Sequence, residues 1–114
     1  MRKEVSTRDY SKKQEQVIAN YLRGKVQANS GGTKFGGGDV HTKYFLIEAK
    51  TVEYPQKSFS IRKEWIKKAE EQAYQQRKYF SAVAFRFEPQ GEDYFIINKS
   101  LMRALVNYLE DNDG

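Results

Sequence analysis

The sequence predicts an α/β fold in which one mixed β-sheet is flanked by helices, with elements in the order α-β-β-β-α-β-β-α. Two stretches, residues 44–47 and 81–87, have the length and β-prone composition of strands, and the first half of the second is apolar on both faces. Apolar residues at helical spacing occur before the first stretch, between the two, and near the C-terminus. A length of 114 residues predicts a single domain with one modest core, and the sequence shows no internal repeat.

A first helix is predicted from Thr7 or Ser11 to Leu22, where Gly24 ends it. Two capping patterns compete for its start, one at Ser6 and one at Ser11 with a glutamine three residues later. The apolar stripe of this helix consists of Val17, Ile18, Tyr21 and Leu22.

The next segment predicts three strands around a glycine-rich loop. Residues 25–29 form a short strand candidate, and residues 30–38 hold the glycines before Asp39. Residues 41–43 are polar and typical of a turn, after which a strand continues from Tyr44 through Val52.

The second half predicts a helix, two strands and a last helix. Ser58 or Ser60 caps a helix that reaches Tyr79, followed by strands over residues 81–87 and 93–98 and a helix over residues 100–109. The apolar side of the first of these helices consists of Ile61, Trp65, Ile66, Ala69 and Ala73, and that of the second of Leu101, Met102, Leu105, Val106 and Leu109. Residues 1–6 and 110–114 are expected to be loose tails.

Composition limits the function. The net charge of +5 and pI ≈ 9.4 favour a phosphate-backbone partner, although a basic protein without a polyanion partner has the same composition. The absence of cysteine excludes disulfides and thiolate sites, and a single histidine excludes multi-histidine metal sites. The sequence shows no export signal and no run of membrane-spanning length, so we expect a cytoplasmic protein of a bacterium, an archaeon or a phage-infected cell.

The side chains with the clearest catalytic or metal-binding potential lie between Asp39 and Lys50. Alternation along a strand places Glu48 and Lys50 on one face, and these charges are costly beside a buried strand unless they are paired. A turn with an even number of residues would add Asp39 to that face, whereas an odd number would send it to the other. Two carboxylates and a lysine on one face suit an oxygen-preferring divalent cation with a group that orients water.

Asp39, followed by Glu48-Ala49-Lys50 at the end of an apolar strand, resembles the core motif of the PD-(D/E)XK nucleases. The layout is most similar to small archaeal-type and phage Holliday-junction resolvases, and it covers residues 15–85. One departure is Gly38 before the aspartate, where the motif has proline. The resemblance implies a restriction-endonuclease-like core and a homodimer that nicks four-way DNA junctions, leaving 5′-phosphate and 3′-hydroxyl ends, in DNA recombination or repair.

The resemblance also implies the site residues. Mg²⁺, with Mn²⁺ as a substitute, would be bound by Asp39, Glu48 and the Ala49 carbonyl. Glu15 on the first helix would act directly or through water, and Lys50 would orient or help deprotonate the attacking water. These implications make Glu15, Asp39, Glu48 and Lys50 the candidate catalytic residues.

Candidate phosphate contacts lie in the glycine-rich loop and on the first helix. They are Ser30, Thr33, Lys34, Lys12 and Lys13. The loop does not open a helix with Gly-Lys-Ser/Thr, so no nucleotide cofactor is expected. Two alternatives stay open: a flap, single-strand or duplex nuclease of phage, restriction or repair type, and a non-catalytic DNA-binding module. Whether His41 or Gln72 assists also stays open.

Overall fold

The computed structural model describes residues 7–27 and 39–113, with side chains from residue 10 onward. These residues form α1 (Thr7–Leu22), β1 (Lys25–Val26), β2 (Asp39–His41), β3 (Phe45–Ala49), α2 (Lys63–Gln75), β4 (Phe80–Phe85), β5 (Tyr94–Ile96) and α3 (Lys99–Asp111). The predicted α/β fold with a mixed sheet flanked by helices is confirmed. No helix among the described residues is long and apolar enough to cross a membrane.

The strands lie side by side in chain order, β1-β2-β3-β4-β5. β3 and β4 pair in parallel, and the other neighbours pair antiparallel. α2 provides the crossover that a parallel pair requires. As a result, β3 is an interior strand, and its last residues are enclosed from both faces of the sheet.

Helices cover the two faces of the sheet and form its core. On one face, Ile18 and Ala19 of α1 pack in a buried cluster with Val40, Ile47, Ala49, Ala82 and Ala84. Because side chains alternate along a strand, Leu46, Glu48 and Val83 point to the opposite face, which α2 covers with its buried Ala69 and Ala73. Alanine at these two positions lets α2 approach the sheet closely.

The buried stripe of α1 differs from the predicted one. The helix begins at Thr7, so Ser11 lies inside it and does not cap it. Val17 is exposed, and Tyr21 is 83% exposed. The buried or half-buried positions are Tyr10, Ser11, Gln14, Glu15, Ile18, Ala19 and Leu22. This set has regular helical spacing, but two of its members, Gln14 and Glu15, are long polar residues that hydropathy alone assigns to the surface.

Several predicted boundaries are also wrong. β3 ends at Ala49 and does not continue to Val52, and His41 belongs to β2 and not to the turn. α2 begins only at Lys63, after an Arg62 N-cap that makes no side-chain cap bond, so neither predicted serine caps it. It ends at Gln75, close to Arg77, whose φ of 58° is left-handed and incompatible with a continuing helix.

The remaining differences are smaller. β1 has two residues, and positions 28–29 of its predicted span lie outside the described residues. β4 begins one residue before its predicted span and ends at Phe85, two residues short of it, and β5 covers only three of its six predicted residues. Asn98 caps α3 by accepting a 2.9 Å hydrogen bond from the Leu101 N–H. Because α3 continues to Asp111, the start of the predicted loose tail is helical.

Gly24 is predicted to be essential for stability because α1 and β2 meet there. A Cβ at this position would lie 2.7 Å from the His41 carbonyl oxygen, which is fixed in the β1–β2 pairing. We expect Gly24→Ala to lower the free energy of unfolding by about 1–3 kcal/mol in a urea titration. Arg23→Gly is the matched control, since Arg23 has a left-handed φ of 59° that glycine adopts freely. An unchanged midpoint for Gly24→Ala would contradict the close approach.

Candidate functional site

The β2–β3 hairpin sets the geometry of the site. Thr42 N–H donates a 2.9 Å hydrogen bond to the Phe45 carbonyl, so two residues, Lys43 and Tyr44, form the turn. This even length aligns Asp39 directly with Glu48 across the strand pair. Residues paired across antiparallel strands share a face of the sheet, so both carboxylates lie on the side that α2 covers.

The two carboxylates are buried and short of hydrogen-bond donors. Asp39 is 8% exposed and Glu48 is 0% exposed. Oδ1 of Asp39 and both carboxylate oxygens of Glu48 receive no hydrogen bond from the described residues. Burying such oxygens without partners is costly, so the site favours a proton or a cation between them.

Two ammonium groups reach the carboxylate pair from different elements. Nζ of Lys50, just after β3, is 3.4 Å from Oε1 of Glu48, and Nζ of Lys68 on α2 is 3.5 Å from the same oxygen. Both contacts are ion pairs without hydrogen-bond geometry. The Lys50 ammonium also lies 4.8 Å from the ring centre of Trp65, which holds it by a cation–π interaction.

Burial raises the pKa of Asp39 from 3.8 to about 8. Glu48 raises the pKa of Asp39 further in two ways. The protonated carboxyl of Asp39 donates a hydrogen bond to Glu48, and the negative charge of Glu48 opposes ionisation of Asp39. Lys68 lowers the pKa and the charge of Glu15 raises it, each by less. At neutral pH the pair therefore shares a proton, which supplies the donor that the two carboxylates lack.

Glu15 approaches the pair from α1. Its side chain is 3% exposed, and its charge acts on Asp39. However, the described residues contain no group of three or more histidine, aspartate, glutamate or cysteine side chains that could hold a metal ion. The structure therefore brings Asp39 and Glu48 together and places Glu15 near them, but it does not gather all three acids as direct ligands.

The carbonyl of Ala49 is directed within the sheet towards β2, the strand that carries Asp39. Lys50 N–H donates a 2.8 Å hydrogen bond to the Ala84 carbonyl of β4. In a trans peptide the preceding carbonyl points the opposite way, and the described residues contain no cis peptide, so the Ala49 oxygen faces the β2 side. Hard oxygen donors of this kind fit Mg²⁺ or Mn²⁺, and the unpartnered oxygens of Asp39 and Glu48 could accept such an ion.

A buried polar network fixes the end of β3 from the α1 side. Gln14 Nε2 donates to the Lys50 carbonyl (2.8 Å) and to Asp93 Oδ1 (3.0 Å). Asp93 also accepts two hydrogen bonds from Arg86, at 2.9 and 2.6 Å, and Arg86 donates to the Pro89 carbonyl. Sequence reasoning missed this network. The only signal was the position of Gln14, which lies three residues before Val17 and four residues before Ile18 of the predicted apolar stripe.

Two residues of α2, Trp65 and Lys68, contact the site and were not identified from the sequence. Trp65, Lys68 and Gln72 follow at spacings of three and four, so they lie on one side of the helix, from which Lys68 reaches Glu48 and Trp65 contacts Lys50. Gln72 is half-buried, and its Oε1 receives no hydrogen bond from residues that the structure describes, so its role in the site stays open. Lys68 lies on a stretch of helix where basic residues alternate with acids, a pattern typical of a solvated face, so the sequence does not single it out.

The other predicted residues contribute less to this geometry. Lys12 and Lys13 are exposed on α1, and Ser30, Thr33 and Lys34 lie outside the described residues. The pKa of His41 is lowered by partial burial and then by Lys78 and Lys25. The charged groups that act on His41 are therefore basic, which does not favour a metal role.

Comparison of the chain with protein-family models, with curated proteins and with solved structures finds no match in any of the three.

The Asp39 pKa predicts a specific pH dependence of stability without divalent ions. Since the folded pKa of about 8 exceeds the ordinary 3.8, the folded state holds an extra proton between these values. The stabilisation is full below pH 4 and is lost as the pH rises towards 8. We expect unfolding free energy in EDTA to fall by at least about 1 kcal/mol between pH 5 and 8.

Asp39→Asn cannot ionise, and its amide can donate to Glu48, so it should flatten this fall and exceed the wild type in stability at pH 8. Glu92→Gln, at an exposed acid, is the matched control and should leave the pH profile unchanged. A steep decline that persists in Asp39→Asn would refute the assignment of the proton.

Proposed function

We propose that this protein is a Mg²⁺-dependent DNA endonuclease with a restriction-endonuclease-like core, acting as a Holliday-junction resolvase. The observation that carries the proposal is the buried pair of Asp39 and Glu48, aligned across β2 and β3 and short of donors, with Lys50 two residues further along. The order of elements supports it, since the described helices and strands follow the order α-β-β-β-α-β-β-α that accompanies the nuclease resemblance.

The donor set is suited to a hard cation. Asp39, Glu48 and the Ala49 carbonyl would bind Mg²⁺, and Glu15 would act through water or as a more distant charge. The chemistry that such an ion supplies is polarisation of a phosphoryl oxygen and a nucleophilic water near neutral pH.

Lys50 is the residue positioned to act on the attacking water. Its ammonium lies beside Glu48 and over Trp65, and its side chain is partly exposed, so it can reach substrate. In this position it orients the water, helps to remove its proton and offsets charge that builds on the phosphorane.

Lys68 brings a second positive charge from α2 to the same carboxylate. It is more exposed than Lys50 and offers a contact for a substrate phosphate next to the scissile one. The net charge of +5 and the exposed Lys12 and Lys13 favour DNA as the polyanion. A second copy of the chain would supply the second cut at a four-way junction.

The central experiment compares cutting by wild type, Asp39→Asn and Lys50→Ala, with Glu92→Gln as the control. We expect Mg²⁺-dependent nicking by wild type and control, a loss of at least about 100-fold in both site variants, and retained DNA binding in a gel-shift assay. Mg²⁺ should also raise the melting temperature of wild type and not of Asp39→Asn. Equal cutting by the site variants would reject the catalytic assignment, and DNA binding without cutting would indicate a non-catalytic module.

Substrate class is tested on four DNAs of matched sequence: a four-way junction, a flap, a linear duplex and a single strand. Paired nicks on opposite strands of the junction are the expected result. Equal or better cutting of the flap, duplex or single strand would support nuclease activity but reject the resolvase assignment. The protein would then be a nuclease of phage, restriction or repair type.

The contact between Trp65 and Lys50 predicts a graded series. Trp65→Phe keeps an aromatic face under the ammonium, whereas Trp65→Leu removes it, so we expect the single-turnover cleavage rate to fall about tenfold only in the leucine variant, at unchanged DNA affinity. Tyr74→Leu, at an exposed aromatic on the same helix, is the control. Equal rates for the phenylalanine and leucine variants, at matched melting temperatures, would show that Trp65 does not position Lys50.

A further inference from the structure

α3 is an amphipathic helix whose apolar side has no partner within the described part of the chain. Only Leu101, in its first turn, is buried. The exposed apolar residues are Met102, Leu105, Val106, Tyr108 and Leu109. No other described helix or strand makes more than slight contact with α3. Exposed apolar surface of this kind on a regular helix is typical of an interface.

The exposed residues form a continuous seam. Met102, Leu105, Val106 and Leu109 follow the spacing of three, four and seven residues that brings side chains onto one side of a helix. This is the pattern with which one helix packs along another. The seam is short, so two such helices need additional apolar surface nearby.

That surface is a groove at the base of α3. The groove has a volume of about 560 Å³ and lies between α3, the end of α1 and the sheet. Its apolar lining includes Leu22, Phe45, Ile47, Phe95, Ile97, Leu101 and Leu105. Because Leu105 belongs to both the seam and the groove, the two form one apolar surface.

The charges beside the seam indicate what covers it. Lys99 and Arg103 lie near the start of α3 and Glu110 near its end, and spacings of four and seven residues put all three on the same flank. If a second α3 packed antiparallel, Lys99 and Arg103 of each copy would face the partner's Glu110. In a parallel pair this flank would face the other flank of the partner helix, which carries Leu101, Tyr108 and Asn112 and no acid, so these charges would not pair. The helix is thus self-complementary in one orientation only.

We propose that α3 packs antiparallel on α3 of a second copy about a two-fold axis near Leu105, the midpoint of the helix. The end of each helix, with Leu109, would then reach the groove at the base of the other. This interface does not depend on the nuclease chemistry, so either proposal can fail without the other.

Sedimentation equilibrium on the full chain at several concentrations tests the interface. We expect a dimer for wild type and for Tyr21→Glu, a control at an exposed aromatic outside α3, and a dissociation constant raised at least about 100-fold by Leu105→Glu. Far-ultraviolet circular dichroism should be unchanged, because Leu105 is partly exposed in the single chain. A monomer at all concentrations, or a dimer insensitive to Leu105→Glu, would overturn the proposal.

Orientation is tested by cross-linking, which the absence of native cysteine makes specific. Lys99→Cys and Glu110→Cys chains, mixed and oxidised, should form the mixed disulfide in preference to either symmetric one. Symmetric disulfides between two Lys99→Cys chains would instead indicate parallel helices and overturn the antiparallel arrangement. Neither measurement uses cleavage activity.

Discussion

The burial of Asp39 opposite Glu48 is the constraint to which the surrounding structure responds. Two adjacent carboxylates away from water would repel each other and lack donors. The fold offsets this cost with a shared proton, with Lys50 from the end of the same strand and with Lys68 from α2. α2 is therefore both the cover of the apolar sheet face and the source of one of the two ammonium groups that offset the carboxylate charge.

Lys50, the residue that follows β3, is held by contacts with the helices on both faces of the sheet. On one side its ammonium contacts Glu48 and Trp65, and on the other the carbonyl of the same Lys50 accepts a hydrogen bond from Gln14 of α1. The buried pair of Arg86 and Asp93 fixes Gln14 in turn. Fixing side chain and backbone independently restricts where the ammonium can lie, which is a requirement for any group that acts on a bound water.

Much of this arrangement could be predicted from local sequence, because it depends on alternation. The sequence predicts two strands joined by a polar turn between Asp39 and Glu48, but it does not say whether the turn has an even or an odd number of residues. The structure has a two-residue turn, Lys43 and Tyr44, which places both acids on one face. Gln14 and Lys68 could not be predicted in the same way. Each is a polar residue on a helix whose partner is distant in sequence. Gln14 is hydrogen-bonded to Lys50, 36 residues away, and Lys68 is paired with Glu48, 20 residues away.

The charges of the site connect its stability with the proposed chemistry. Three carboxylates, at Glu15, Asp39 and Glu48, are balanced by the ammonium groups of Lys50 and Lys68 and by one proton, so the ion-free site is close to neutral. Exchange of that proton for a divalent cation would leave one positive charge, which a single phosphodiester neutralises. A bound ion would therefore add to the attraction for the scissile phosphate, while DNA binding by the rest of the basic surface would not require it. This added attraction would arise through the same carboxyl whose ionisation destabilises the empty fold.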